Sequence, residues 1–366
     1  MLHLLDHKLF QYLDVRFESI NIHILLLSFF SKIKNPKIRI SHHYIINFIK
    51  NSNPDFVITY YDVDKFFWSL KKIFPKIIFI VIQQNWRYGW NHGNIFESKS
   101  KKKKKNLSDL FFVYGGFVKK LYKKEIKSNF HEIGSIENNK VKNKSSKNFK
   151  DIIFISSFKN HDKNSTTPDN KGNPINQFDS AYKIDTLILK FLKQYCLSKK
   201  KRLTILSRYS QNEEPDLLKK EHEYYKGIIP KFNFFKKISY EDTYKIINKF
   251  NYFVTVDSTL GYECLSRFKR VGILNVRYKV SNFLGGQNHR YGWPANFPRK
   301  GKFWTDDPNQ KEMNKVLNFT VDGKKKLWLK LKKRYVDPII VYDYKNRKLL
   351  KMLKRYNIPI NTKLLK

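Results

Sequence analysis

The stretch Asn251-Tyr-Phe-Val-Thr-Val-Asp-Ser-Thr-Leu-Gly-Tyr-Glu-Cys-Leu-Ser-Arg-Phe-Lys-Arg-Val-Gly-Ile-Leu-Asn275 reads as strand, polar turn, helix and second strand. Tyr252 to Val256 is a β-branched and aromatic run of strand length, and Asp257-Ser258-Thr259 puts small polar side chains where a helix should start. Leu260, Tyr262, Glu263, Cys264 and Leu265 continue with helical character before Arg267 and Lys269 close the helix. A helix N-terminus presents unpaired N–H groups and a partial positive charge, so Ser258 and Thr259 mark a place for a diphosphate. Glu263, about one turn further in, suits the hydroxyls of a ribose on the same nucleotide. The plainer alternative is that Ser258 and Thr259 only cap a core helix and that Glu263 is a solvated first-turn acid.

Working outward, the chain repeats this strand–helix alternation on both sides. In the first half, strand-like runs at Val57 to Tyr61, Ile77 to Ile82, Leu110 to Tyr114 and Phe130 to Ile133 are separated by helical patterns at His42 to Asn51, Asp64 to Phe74 and Gly116 to Lys124. The second half opens with a buried-strand pattern, Asp151 to Ser156, that ends in small polar residues. Residues 159–177, rich in Asn, Asp, Lys, Pro and Gly, read as a long surface loop. Helices at Tyr182 to Ser198, Leu217 to Lys226 and Tyr240 to Lys249, with a strand at Leu203 to Ser207, lead into the opening βαβ unit. The expected class is α/β, with two Rossmann-like domains of mostly parallel sheet facing a central cleft. The expected boundaries are 1–148, 149–340 and a C-terminal helix and tail, 341–366, in which Leu349, Leu350 and Leu353 share one helical face and the chain is expected to cross back over the first domain. A length of 366 residues supports two domains rather than one.

The composition restricts function more than it suggests one. With 73 Lys+Arg against 31 Asp+Glu the formal charge is +42, which ordinarily points to nucleic acid. Here the excess is spread along the whole chain, and there is no zinc-finger spacing, no aromatic-rich RNA-binding signature and no basic helix with heptads. Nucleic acid is therefore not the expected partner; attraction to anionic lipid headgroups at the inner face of the cytoplasmic membrane fits better. Apolar stretches such as Ile22 to Phe30 and Ile77 to Ile82 are far short of a bilayer span, and no signal-peptide pattern opens the chain, so the expected location is cytoplasmic or peripheral at the membrane. The two cysteines, Cys196 and Cys264, sit among apolar residues and are expected as buried free thiols rather than a disulfide or a metal pair.

Several short motifs, in fixed order, carry a family resemblance. Val256-Asp257-Ser258-Thr259-Leu260-Gly261-Tyr262-Glu263 followed by Ser266-Arg267-Phe268-Lys269-Arg270 resembles the signature of bacterial surface carbohydrate biosynthesis proteins, regarded as GT-B-type glycosyltransferases. Pro54-Asp55-Phe56-Val57-Ile58-Thr59 with Asp62, Gln84-Asn85-Trp86-Arg87, Leu107-Ser108-Asp109, Ile133-Gly134-Ser135, Tyr291-Gly292-Trp293-Pro294 and Lys300-Gly301-Lys302-Phe303-Trp304-Thr305 are similar to further parts of it. The chain departs from the pattern where Trp86 and Phe268 stand in place of glycines, and each loses a permissive backbone position.

The resemblance implies that the C-terminal domain holds an activated sugar's nucleotide while the N-terminal domain presents the acceptor. Ser258 and Thr259 then bind the donor phosphates and Glu263 the ribose, with Asp257, Gly261, Arg208 and Ser156 completing the donor side. Helix dipole and basic side chains stabilise the leaving nucleotide, so neither a metal nor any other cofactor is required. A transferase that inverts the anomeric carbon needs a base, for which Asp62 is the first candidate and His92 the second. Gln84, Asn85 and Arg87 suit the acceptor side, and Arg290 and Trp293 a platform for a sugar ring. Each has a structural alternative, from helix cap to surface arginine. The leading expectation is a glycosyltransferase acting from a nucleotide-sugar on a lipid-linked or growing surface glycan. The others are a CDP-polyol phosphotransferase of the teichoic-acid type, which usually shows paired histidines that are absent here, and a non-catalytic polyanion binder.

Overall fold

The computed structural model describes residues 4–5, 9–11, 13, 20–60, 65–84, 106–123, 125–162, 164–169, 171–281 and 297–361. Two compact units divide them: the first takes the described residues up to Gln84, residues 106–137 and those from Asn346 onward, and the second takes 138–345.

The first unit begins with helices α1 (Ile22–Lys34) and α2 (Ile40–Ser52) and continues through β1 (Phe56–Thr59), α3 (Lys65–Ile73), β2 (Ile78–Ile82), β3 (Asn106–Val113), α4 (Gly116–Tyr122) and β4 (Ile126–Glu132). All four strands are parallel, in the order β1-β2-β3-β4. Side chains alternate across a strand, so Phe79 and Phe111 face the rings of Phe67, Trp68 and Tyr122 from α3 and α4. Ile80, Ile82, Leu110 and Phe112 face the other way. Both faces being covered, β2 reads in sequence as an unbroken apolar run, as does β3 from Leu110 onward.

Helix α5 (Ile136–Lys140) carries the chain into the second unit. There β5 (Asp151–Ile155), a hairpin of β6 (Thr166–Pro168) and β7 (Pro174–Asn176), α6 (Gln177–Ser198), β8 (Arg202–Ser210), α7 (Pro215–Ile228), β9 (Asn233–Lys237) and α8 (Thr243–Ile247) precede β10 (Tyr252–Thr255), α9 (Thr259–Ser266), β11 (Arg270–Leu274), α10 (Arg277–Ser281), β12 (Trp304–Thr305), α11 (Gln310–Asp322) and α12 (Lys325–Leu331). The main sheet is wholly parallel and runs β12-β11-β10-β5-β8-β9. Read from β9, with β5 as the first strand, this is the 3-2-1-4-5-6 order of a dinucleotide-binding sheet, with its reversal between β5 and β10. β5 is buried at every position, and Ile184, Ile188, Leu192 and Tyr195 of α6 form a helical stripe against it. The one acid in that strand, Asp151, is paired across the register with Arg202, which holds its carboxyl below the ordinary range.

The chain ends in α13 (Arg347–Arg355), whose Leu349, Leu350 and Leu353 are buried against Ile80, Ile82, Leu110 and Phe112 of the first unit. The α/β class with two Rossmann-like units is as the sequence led us to expect. Differences lie in detail. The 159–177 loop contains the β6/β7 hairpin, whose turn is organised by Asp169 accepting from the backbone N–H of Lys171 and Asn173. β9 and the inverted patterning of α1 were not foreseen. Among the described residues no helix is long and apolar enough to cross a membrane. Cys196 and Cys264 are buried free thiols.

Candidate functional site

Ligands of open parallel sheets bind beyond the carboxyl ends of the strands where the strand order reverses. In the second unit that point is flanked by the turn after β5, Ser156-Ser157-Phe158, and the turn after β10, Val256-Asp257-Ser258.

On the β10 side, Ser258 is the N-cap of α9, its Oγ accepting from Leu260 N at 3.3 Å while its own N–H donates to Thr255 Oγ1 at 3.1 Å. Thr259 is the first residue of the helix. Gly261 lies so close to β10 that a Cβ there would meet Thr255 Cγ2 at 2.5 Å; the missing side chain seats the helix on the strand. Asp257 forms a two-pronged pair with Arg277 of α10, Nε to Oδ2 at 2.9 Å and NH2 to Oδ1 at 3.2 Å, so the loops after β10 and β11 are tied together. Two residues before Arg277, the buried Asn275 has no hydrogen-bond partner among the described residues for either end of its amide, which leaves a donor and an acceptor at the same strand end.

On the β5 side, Ser156 Oγ meets the Tyr225 hydroxyl at 2.9 Å, and that oxygen also accepts from the N–H groups of Ser157 and Phe158. Ser156 is therefore committed to shaping the turn. Beneath it Ser157 Oγ donates to Asp185 Oδ1 at 2.6 Å and Tyr224 to Oδ2 at 3.1 Å. Burial pushes the Asp185 carboxyl up to about 6, against the opposing pull of Ser157, Arg277 and Tyr224.

Arg208 is exposed near the end of β8, where the register shifts; the buried Glu221 of α7 accepts from the N–H groups of Arg208 and Tyr209 and fixes that strand end. Lys159 and His161, just past the β5 turn, share its electrostatic surroundings. Lys159 is exposed, but desolvation by the protein around its ammonium, followed by the positive charge of Arg277 and, more weakly, of Arg208, lowers it below its ordinary value, while Asp257 opposes them. His161 is lowered by burial and then by Lys159, Arg277 and Arg208. One strand-end region thus gathers Lys159, His161, Arg208 and Arg277, with Asp257 as the acid among them. Like charges held together are unfavourable until an anion joins them, so the arrangement suits a ligand with at least two negative charges.

Of the donor-side residues expected from the sequence, Ser258, Thr259, Asp257, Ser156 and Arg208 lie around this strand end. Glu263 is buried one turn into α9, its Oε2 accepting from the Tyr244 hydroxyl at 3.0 Å. Gln84 is exposed after β2 in the first unit, where its carbonyl accepts from the Tyr114 hydroxyl. Asp62, His92, Asn85, Arg87, Arg290 and Trp293 lie outside the described residues. Sequence reading missed Lys159, His161, Arg277 and Asn275; the only available signal was their position just after buried strand patterns.

The downstream half of the α9 motif is an anchor. Ser266 Oγ accepts from Asn138 Nδ2, and the fully buried Arg267 donates to the carbonyls of Asn138, Val141 and Lys142 and to Asn248 Oδ1. Lys269, pushed down to about 8 by burial, donates to the carbonyl of Lys144. Phe268 between them has φ +60°, the left-handed region that glycine favours, so the loop keeps a glycine-like path although the glycine is gone.

Similar folds occur among solved structures. Staphylococcus aureus MnaA, solved with UDP, is 13% identical, with 87% of this chain and 78% of that chain covered at a TM-score of 0.47. A UDP-GlcNAc 2-epimerase from Neisseria meningitidis is 12% identical, with 86% and 80% covered at 0.45, and a glycosyltransferase from Rickettsia africae is 14% identical, with 97% and 85% covered at 0.42. A search of the curated proteins gave no match. The resemblance carried by the sequence motifs is upheld by a family model that matches residues 80–357, most of the chain. The chain belongs to that family, described as "putative O-antigen biosynthesis protein".

Proposed function

We propose that the protein is a glycosyltransferase that takes a sugar from a nucleotide-sugar and passes it to a surface-glycan acceptor. The observation that carries the reading is the gathering of Lys159, His161, Arg208 and Arg277 beside the Ser258 cap, at the strand-order reversal of a 3-2-1-4-5-6 sheet. The diphosphate sits across the two turns, receiving N–H groups from the start of α9 and charge from Arg277, Lys159 and Arg208. Charge that develops on the leaving nucleoside diphosphate is stabilised by these fixed cations, without a resident metal ion. Glu263, its carboxylate fixed by Tyr244, takes the ribose hydroxyls. Asp62 is proposed as the base that accepts the acceptor's hydroxyl proton, with His92 second, while Gln84, Asn85 and Arg87 address the acceptor and Arg290 and Trp293 a sugar ring. Membership of an O-antigen biosynthesis family supports a surface polysaccharide as the product.

The test is thermal stabilisation by UDP-, GDP-, CMP- and CDP-linked compounds at moderate salt, on the native protein and on Ser258→Ala and Arg277→Ala. One nucleotide class should raise the melting temperature of the native protein, each substitution should shrink that rise, and sugar transfer should persist in EDTA. Absence of any rise, with binding to polyanions that collapses as salt increases, would leave a charge-driven binder instead.

A further inference from the structure

Helix α1 is amphipathic in the wrong sense for a soluble surface. Its inward stripe is Ile24, Leu25, Ser28, Ser31 and Lys32, and the serines are held there by Asn47 of α2, whose Nδ2 donates to Ser28 Oγ at 3.2 Å and Ser31 Oγ at 3.1 Å. Ile22, Leu26, Leu27, Phe29, Phe30 and Ile33 face outward instead, and Ile22, Phe30 and Ile33 are 72%, 63% and 76% exposed. At 100° per residue these six span an arc of about 160°, shared with the exposed His23 and Lys34, which is still far more than the scattered apolar exposure normal for a surface helix.

The surroundings decide what covers this face. From Ser19 through Pro54 there is no acidic residue, whereas Lys32, Lys34, Lys37, Arg39 and Lys50 all occur there. Lys34, Lys37 and Arg39 are exposed at and just beyond the C-terminal end of α1. A second copy of this chain would bring the same cations against themselves in a two-fold interface. The complement of a convex apolar helix that ends in exposed positive charge is an apolar layer with an anionic rim. We propose that α1 docks on the surface of a bilayer containing anionic lipid, with Leu26, Phe29, Phe30 and Ile33 in the acyl boundary and Lys34, Lys37 and Arg39 among the phosphates.

The test is co-sedimentation of the full chain with vesicles of phosphatidylcholine and phosphatidylglycerol in equal parts, and with phosphatidylcholine alone. The native protein should partition onto the mixed vesicles, and the triple variant Leu26→Ser, Phe30→Ser, Ile33→Ser should lose at least about tenfold in partitioning. Its melting temperature should be unchanged, because the replaced side chains are exposed. Lys34→Glu with Lys37→Glu and Arg39→Glu should cause a similar loss. A control with equal charge change elsewhere, Lys324→Glu, Lys325→Glu and Lys326→Glu, should cost less than about twofold; this separates a local site from the overall charge of the chain. The proposal fails if the serine variant binds vesicles as well as the native chain, if the control is as damaging as the α1 charge reversals, or if light scattering shows a dimer that the serine variant dissolves. Nucleotide binding by the second unit is a separate property, and either result leaves it standing.

Discussion

Replacing Arg267 with methionine should destabilise the second unit by about 3–5 kcal/mol, because buried neutral acceptors lose their donor. Arg267 is 1% exposed and has no carboxylate partner among the described residues; its fork instead serves five neutral acceptors, the carbonyls of Asn138 (3.0 Å), Val141 (2.8 Å) and Lys142 (3.1 Å), Asn138 Oδ1 (3.4 Å) and Asn248 Oδ1 (2.9 Å). Three of these keep a second donor, the Tyr342 hydroxyl on the Val141 carbonyl, Asn248 Nδ2 on that of Lys142 and the Lys144 N–H on Asn248 Oδ1, and lose about 0.5–1.5 kcal/mol each, whereas the two Asn138 oxygens are left without a donor at about 1–3 kcal/mol each, so the gross loss is about 4–10 kcal/mol. Relief of guanidinium burial, which already lowers the Arg267 pKa, returns several kcal/mol of that and gives the smaller net figure. Against a whole-domain stability of about 5–15 kcal/mol the loss is large. Arg267→Lys keeps a charge and up to three donors on a shorter reach, and should cost less, about 1–3 kcal/mol. Urea unfolding followed by tryptophan fluorescence, in a Trp68→Phe background that removes the first unit's buried tryptophan, reads the transition of this unit, which contains the buried Trp304 and Trp328. A Met variant within about 1 kcal/mol of native, or a Lys variant as damaged as the Met variant, would show that the carbonyls find other donors and that Arg267 is not the anchor.

Asp185 gives stability a pH dependence of defined sign: its carboxyl titrates near 6 in the fold and near 3.8 in the unfolded chain, so the folded form holds the proton longer and stability falls as pH rises between those values, by about 3 kcal/mol in all. Asp185→Asn should flatten that part of the profile in urea melts at pH steps across the range; an unchanged slope would assign it to other groups. Gly261→Ala should cost about 1–3 kcal/mol through the Thr255 Cγ2 contact, and Thr255→Ser, which removes that methyl but keeps the hydroxyl that accepts from Ser258, should recover most of it in the double variant. Because His161 is held below its ordinary value by burial and by Lys159, Arg277 and Arg208, a bound diphosphate should raise it; calorimetry should then show proton uptake and tighter binding as pH falls towards about 6, and His161→Asn should remove that dependence.

The β10–α9–β11 unit was legible because its signals are local: a β-branched run, a capping serine and a helix of matching length all fall within 25 residues. Ser258 is the cap that its position implied. The cationic half of the site was not legible. Lys159 and Arg277 stand 118 positions apart, and only the pairing of β5 with β10 brings their loops together. Sheet order is a tertiary result that no window of sequence contains. α1 was missed for another reason: its apolar residues signal a buried face, and the serines that pack inward through Asn47 signal a solvated one. β9 was missed because Asn233-Phe-Phe-Lys-Lys237 is a short edge strand with little alternation.

The first unit is built from both ends of this chain. Leu5 pairs with Ile360, Asn361 donates to the carbonyl of Leu4, and the leucines of α13 complete the core on one face of β2 and β3. During synthesis, which proceeds at about 5–20 residues per second, the four strands of that unit therefore leave the ribosome long before the helix that covers them. The sheet must wait, apolar face open, while more than 200 residues of the second unit are made and fold. The second unit needs nothing that comes later and is free to finish first. A nascent chain stalled before Asn346 would thus carry one finished Rossmann-like unit behind an unfinished one, and its exposed strands would be the natural client of a chaperone.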